Sequence, residues 1–273
     1  MSKTEEKIAF VGAGNMAGSI IRGLVQQGHS AEYIWASAPS EKNLAALNDQ
    51  LGVHTTHDNN ACVNLANIVV LGVKPQMMKQ VCENIRASLN PSALVISLAA
   101  GVTCDSINRW LDGEYPVVRC MSNTPAQVSL GASGLYANNL VNNEQKTQTQ
   151  AILSTVGIVC WVESEALIDT VTAVAGSGPA YFFLFIEAMI DTAVKQGMPE
   201  TTARELAIQT ALGAAKLAQL SDDSVVQLRQ KVTSPKGTTE RAIAAFEKNN
   251  IRATVENAMD ACTKRAQELA NDN

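Results

Sequence analysis

Apolar and polar positions divide the chain into two halves of different period. In the first half, short continuous apolar runs end in small or polar residues and alternate with helix-period stretches. Ile8-Ala9-Phe10-Val11 is the first such run, and Ile20, Ile21, Leu24 and Val25 follow at helical spacing as far as Gln27-Gly28. Tyr33-Ile34-Trp35-Ala36 predicts a second strand, Leu44, Leu47 and Leu51 a second helix, and Gly52-Val53-His54 a short third strand. Asp58-Asn59-Asn60 marks a helix start. Ile68 to Val73 and Leu94 to Leu98 are the uninterrupted runs expected of central parallel strands covered on both faces, and Pro116 to Met121 repeats the pattern. Gly134 to Ala137 and Val159 to Val162 predict later strands on either side of a helix around Gln145 to Val156. Beyond Glu163 helical periodicity dominates, over segments near 165–196, 199–220, 222–232, 237–248 and 252–271. The pattern predicts an α/β domain over 1–163 and an all-helical domain over 164–273.

The turn after the first strand carries chemistry. In Gly12-Ala13-Gly14-Asn15-Met16-Ala17, Gly12 permits a sharp bend, Gly14 lets bare backbone approach a pyrophosphate, and Ala17 replaces a third glycine while still allowing close helix packing. The helix that follows offers unpaired N–H groups to phosphates. Placed between a strand and a helix, this pattern predicts dinucleotide binding. An NAD-specific site places an acid at the tip of the second strand, but here the residues are Ser37-Ala38-Pro39-Ser40. Ser37 and Ser40 could donate to a 2′-phosphate and Lys42 could add charge, with Glu41 offsetting it, so NADPH is favoured and NADH is the lesser candidate. The same residues also read as a serine-rich turn capping the second helix.

Three later strand ends, at Lys74-Pro75-Gln76, Ala99-Ala100-Gly101 and Ser122-Asn123-Thr124-Pro125-Ala126, carry compact polar or small residues and together predict one crevice wall. In the helical half, Ala175 to Tyr181 puts Gly, Ser and Pro inside an apolar stretch, which asks for a kink or a close backbone approach. Val232 to Glu240 gathers four hydroxyls, a lysine and a glycine before a helix. It reads either as a small-anion site or as a generously capped helix.

Bulk properties narrow the classes. Among 273 residues, 46% are hydrophobic and 17% charged, which argues against disorder, and a net charge of −5 offers no basic footprint for nucleic acid. No apolar stretch reads as uninterrupted enough to span a bilayer. The polar, mixed-charge start Met1 to Lys7 predicts no secretory signal and a cytoplasmic enzyme. The six scattered cysteines form no Cys-x-x-Cys pair and read as reduced structural thiols, and nothing near His54 and His57 completes a metal site.

Taken in order, Val11 to Ala17, Val73-Lys74-Pro75-Gln76, Ala99-Ala100-Gly101, Asn123-Thr124-Pro125-Ala126, Gly176 to Tyr181 and the Ser234 to Thr239 loop resemble a pyrroline-5-carboxylate reductase over almost the whole chain. The last two motifs are the most specific. The resemblance implies a Rossmann-like NADPH domain followed by a helical dimerisation domain, with dimers that build larger rings, up to a decamer of dimers. It implies an adenine-ribose end near Ser37 and Asn59. Val73, Lys74, Pro75, Ala99 and Ala100 would line the nicotinamide side, and Asn123, Thr124 and Pro125 would close the site. It further implies a loop that holds the substrate carboxylate, in some members on the partner subunit, with Thr239 approaching the ring nitrogen. The family usually has paired glycines after the Ser-Pro step, where this chain has Lys236-Gly237. A positive φ at Lys236 would strain the loop.

Reduction of 1-pyrroline-5-carboxylate to proline asks little acid–base chemistry of the protein, and no histidine stands near a proposed strand end. Thr239 is then the expected partner of the imine nitrogen, with Ser234, Gly237 and Thr238 on the carboxylate. Two rivals stand beside this reading. One is an NADP-dependent hydroxy- or keto-acid dehydrogenase, for which Lys195 is the midhelix candidate acid or base. The other is a dinucleotide-binding sensor without turnover.

Overall fold

A computed structural model describes residues 6–271, so of the stretch read for a signal, Met1 to Glu5 lie outside the described residues. The strands are β1 (Ile8–Val11), β2 (Ile34–Ser37), β3 (His54–Thr56), β4 (Ile68–Leu71), β5 (Leu94–Ser97), β6 (Val117–Met121), β7 (Gly131–Ala137) and β8 (Gly157–Trp161). They form one sheet in the order β3-β2-β1-β4-β5-β6-β7-β8, parallel except for the antiparallel β6–β7 pair. The continuous apolar runs are explained by what lies on the two faces. Ile8 and Phe10 of β1 enter one core cluster while the intervening Ala9 and Val11 enter another, and Val70 and Val69 of β4 divide in the same way. Burial on both sides removes the need for alternation.

Helices α1 (Asn15–Gln26), α2 (Glu41–Leu51), α3 (Asn59–Val63), α4 (Pro75–Ile85), α5 (Cys104–Leu111) and α6 (Asn143–Ser154) accompany these strands. β3 begins at His54, later than the pattern predicts, because Gly52 is used up in ending α2. It takes φ 71° and donates its N–H to the Asn48 carbonyl. After β8 the chain runs through α7 (Leu167–Val171), a π-helical turn (Thr172–Gly176), α8 (Gly178–Lys195), α9 (Glu200–Leu220), α10 (Val225–Lys231), α11 (Thr238–Lys248) and α12 (Ile251–Asn271). The kink expected around Ala175 is this π turn, where Ser177 N–H reaches back to Thr172 O at 2.8 Å.

The chain forms two compact units, one of residues 1–177 with 261–273 and the other of residues 178–260. The segment from 164 to 177 belongs with the sheet because ion pairs tie it there. Arg119 of β6, 3% exposed, sends Nη1 to Glu165 at 3.1 Å and faces Asp169 of α7 at 3.9 Å. Burial pushes the Asp169 carboxyl up, and Arg119 pulls it back down.

One expectation is corrected. The run Leu167–Lys195, which contains an 18-residue stretch of mean hydropathy 1.5, is long and apolar enough by length and composition to cross a membrane. The Gly, Ser and Pro at its centre disguise that length, because the π turn lets the helical path continue through them.

Candidate functional site: a dinucleotide groove and a hydroxyl-rich helix start

The carboxyl ends of β1, β2 and β4 open into a groove of about 670 Å³. Gly12, Gly14, Ser37, Asn59, Val73 and Lys74 all line it. Gly12 sits at φ +93°, and an added Cβ there would lie 2.6 Å from Val73 Cγ1 and 2.8 Å from the Gly72 carbonyl carbon, so only glycine lets the two strand ends meet. At Gly14 an added Cβ would meet nothing within 4 Å, which leaves the backbone open to the groove. The glycine turn does not itself supply free donors. Gly12 and Ala13 N–H both donate to the Ser37 carbonyl at 2.9 Å, pinning the turn to the end of β2. The donors lie one step on, at the N-terminus of α1, whose N-cap Gly14 makes no side-chain capping bond and whose first turn holds no acid. The N–H groups of Asn15, Met16 and Ala17 occupy the positions that a helix leaves without intrahelical partners. This uncapped start over an open glycine fits a pyrophosphate.

At the other end of the groove the geometry changes two assignments. Ser37 is fully buried and its hydroxyl is spent, donating to Asn59 Oδ1 at 2.8 Å and lying 3.5 Å from the Phe10 carbonyl. Ser37 therefore orients Asn59, and the Asn59 amide NH2 is left as the groove's donor. Ser40, the N-cap of α2, makes no side-chain capping bond and lines the groove with Pro39, so the turn does not spend its hydroxyl as a cap. Sequence reasoning missed Asn43, whose amide donates to Ala13 O at 3.3 Å, and also Met77, Gln80 and Asn84. It also missed His57, which lines the groove just past β3, so a histidine does stand near a strand end. No pattern signal marks these residues, since they converge from two helices and a turn.

The wall expected from the later strand ends is partial. Val73 and Lys74 line the groove, while Pro75, Ala99, Ala100, Asn123, Thr124 and Pro125 do not. Pro75 opens α4 at a position that needs no N–H. Ala99 is buried, Ala100 and Pro125 half-buried, and Thr124 exposed. Asn123 is committed on both sides, Nδ2 to Ala175 O at 3.1 Å and Oδ1 from Ala132 N–H at 2.9 Å. It ties the end of β6 to β7 and to the π turn.

In the helical unit, Val232 to Glu240 folds as a tight turn into α11. Gly237 N–H donates to Ser234 O at 3.0 Å, and Lys236 N–H donates to Glu240 Oε2 at 2.9 Å. Lys236 stands at φ 61°, in the left-handed region, as the third residue of the turn that Gly237 N–H closes onto Ser234 O. Thr233 is spent on the Arg229 carbonyl at 2.6 Å. Gly237, half-buried, is the N-cap of α11 and makes no side-chain cap, which leaves Thr238 and Thr239 at an uncapped first turn with Ser234 exposed beside them. The N-cap residue is a glycine and caps nothing, while Glu240 in the first turn accepts from Lys236 N–H, so both readings of this stretch stand. Lys195 is the exposed last residue of α8 and has no midhelix position.

Residues 165–269 match the family described as pyrroline-5-carboxylate reductase dimerisation, and residues 7–101 match one described as NADP oxidoreductase coenzyme F420-dependent. The pyrroline-5-carboxylate reductase of Pseudomonas aeruginosa is 49% identical over 264 residues, covering 97% of either chain. Among solved structures, that of a pyrroline-5-carboxylate reductase from Coxiella burnetii superposes with a TM-score of 0.93 at 44% identity, over 98% of this chain and 99% of that one. The Plasmodium falciparum enzyme, solved with NADP bound, gives 0.85 at 30% identity, over 97% and 98%. With its glycine turn, its hydroxyl-rich helix start and near-complete coverage by such relatives, the chain belongs to the pyrroline-5-carboxylate reductase family.

Proposed function

We propose that this protein reduces 1-pyrroline-5-carboxylate to L-proline, the last step of proline biosynthesis, with NADPH as the preferred donor and NADH the poorer one. The observation that carries the reading is the uncapped start of α11, where Ser234, Gly237, Thr238 and Thr239 gather with no side-chain cap at Gly237. Ser234 and the N–H groups of Gly237 and Thr238 face the carboxylate of a small cyclic imine. Gly237 N–H, shared with Ser234 O, tightens onto the anion when that turn bond lengthens. The Thr239 hydroxyl holds the proton at the imine nitrogen, so the electrophile stays an iminium without a dedicated acid.

Gly12, Gly14, Asn15, Met16 and Ala17 receive the pyrophosphate, and Asn59, set by Ser37, receives the ribose end. Val73 and Lys74, which line the groove, would take the nicotinamide with Pro75, Ala99 and Ala100, which do not line it, and Asn123, Thr124 and Pro125 would close that side by their backbone and by the tie that the Asn123 amide makes. The cofactor, once bound, supplies the hydride. The protein's own task is alignment and exclusion of water. In this reading 1–163 holds the cofactor and 164–273 supplies dimerisation and substrate binding, a functional division that differs from the compact units, which keep 164–177 and 261–273 with the sheet. The active form is a cytoplasmic dimer or a ring of dimers reaching a decamer of dimers, with the Ser234 to Thr239 loop serving its own or the partner subunit's cofactor.

The test is oxidation of NADPH and of NADH by the purified protein with the imine, and with keto acids as controls. Turnover with the imine alone supports the proposal. NADPH binding without imine turnover refutes it.

A further inference from the structure

One side chain clamps the β2–α2 turn from outside. His57 places Nδ1 2.9 Å from the Ala38 carbonyl oxygen and Nε2 2.8 Å from Glu41 Oε2. Both partners are acceptors, and a neutral imidazole donates through one nitrogen only. Two hydrogen bonds therefore require the imidazolium. The Ala38 carbonyl first and the Glu41 carboxylate second raise the ring's pKa above its ordinary 6.5. The clamped Ala38 lines the groove together with Pro39, Ser40, His57 itself and Asn59, the stretch of wall read as the ribose end.

The position of Glu41 gives this clamp a consequence. NAD-specific sites use an acid near the end of β2 to take the ribose 2′-hydroxyl, and the same acid repels a 2′-phosphate. Here the acid stands at the first residue of α2, just past the strand tip, and the cation bound to it is His57. We propose that His57 is a specificity-determining residue for the cofactor: as the imidazolium it neutralises and holds Glu41, so that a dinucleotide bearing a 2′-phosphate is accepted. Loss of the proton leaves the Glu41 charge unopposed and free to turn toward the ribose, which penalises the 2′-phosphate and spares the 2′-hydroxyl.

The other charged groups around this end leave the assignment intact. Asp58, next to His57, is turned onto Asn60 N–H at the start of α3. Lys42 of α2 is exposed, and Lys74 lines the groove from the end of β4. Among the described residues, Glu41 is the one carboxylate within ion-pair distance of His57. The inference rests on reading the groove as a dinucleotide site and adds the residue that sets its preference.

The test is equilibrium binding of NADPH and of NADH, followed by the fluorescence of the reduced nicotinamide, to the intact protein and to His57→Ala, Glu41→Gln and the double variant, between pH 6 and 8.5. One unit charge removed near a dianion at a screened surface predicts a weakening of NADPH binding of about five- to tenfold in His57→Ala at pH 6.5, with NADH changed less than about twofold. Glu41→Gln should restore NADPH binding in the His57→Ala background. In the intact protein the preference for NADPH should fall as pH rises, and the variant should retain only the titration of the 2′-phosphate itself. His57→Gln, which keeps one donor without the charge, should behave as His57→Ala does. Equal shifts for both nucleotides, or no rescue by Glu41→Gln, would overturn the proposal. Failure of both nucleotides to bind the intact protein would overturn the dinucleotide reading with it.

Discussion

Lys236 offers a direct measure of strain carried in the loop before α11, the loop proposed to hold the substrate. Its φ of 61° places an L-residue where the family usually has glycine. Left-handed backbone costs such a residue about 1–2 kcal/mol. Lys236→Gly relieves that cost, while the freer unfolded chain gives back roughly 0.4–1 kcal/mol. Lys236 N–H to Glu240 and Gly237 N–H to Ser234 are backbone donors and survive the exchange. The net expectation is a gain of about 0.5–1 kcal/mol, or about 1–3 °C in Tm for a chain of this size. Lys236→Ala separates geometry from charge, because it retains the Cβ and loses the ammonium. Its stability should stay within about 0.5 kcal/mol of the parent. Both variants lose an exposed cation near the carboxylate site, worth at most about 1 kcal/mol, so KM should rise by no more than about fivefold in each with kcat held. Urea denaturation at one fixed protein concentration, paired with steady-state kinetics, reads both quantities. A Lys236→Gly protein no more stable than Lys236→Ala would refute the strain argument.

Other substitutions test other parts of the structure. Thr239→Ala removes the hydroxyl proposed for the imine nitrogen and should lower kcat/KM by about ten- to a hundredfold; full retained efficiency in steady-state assays would remove Thr239 from the mechanism. Gly12→Ala forces a Cβ to within 2.6 Å of Val73 Cγ1 at a positive φ. It should cost about 2–4 kcal/mol in urea denaturation and abolish nucleotide binding in titration calorimetry. Arg119→Met strips the partner from Glu165 and Asp169, for an expected loss of about 3 kcal/mol in the same denaturation assay. The stabilising part of the His57 clamp should be fully present below pH 6.5 and disappear as pH rises through the raised pKa; thermal melts of the parent and of His57→Ala should therefore converge at alkaline pH.

How much of this was readable in the sequence depends on whether the information is local. The central strands were, because a run such as Ile68-Val69-Val70-Leu71 has a single physical explanation, burial on both faces. So was the glycine turn, where Gly12 must bend and Gly14 must stay open. β3 was misplaced because Gly52 serves the helix before it, and a glycine between two elements does not declare which one it ends. Ser37 and Asn123 read in the sequence as site polar groups, but their hydrogen bonds go to Asn59 in one case and to Ala132 and Ala175 in the other. A side chain's type shows what it can bond, and only the fold shows whether that capacity is already used. His57 escaped for the complementary reason. Its partners, Ala38 and Glu41, lie across a turn, at separations that no periodicity encodes.

The helical half shows where pattern reading stops altogether. α8 carries Phe182, Phe183 and Leu184 in succession, each well over half exposed in the single chain. Successive residues on a helix point about 100° apart, so three neighbours exposed together mean a helix bare around most of its girth. The same composition would suit a membrane span or the centre of a bundle, and sequence cannot tell these apart. The dimerisation family matched over 165–269 decides between them. At about 2 kcal/mol for burying each such side chain, these three residues alone would give a substantial share of a domain's net stability on association. The helical unit is therefore built to be finished by another copy. The loop proposed to hold the substrate joins α10 to α11 inside this same unit, so the proposal carries an expectation that substrate binding weakens when the copies are separated.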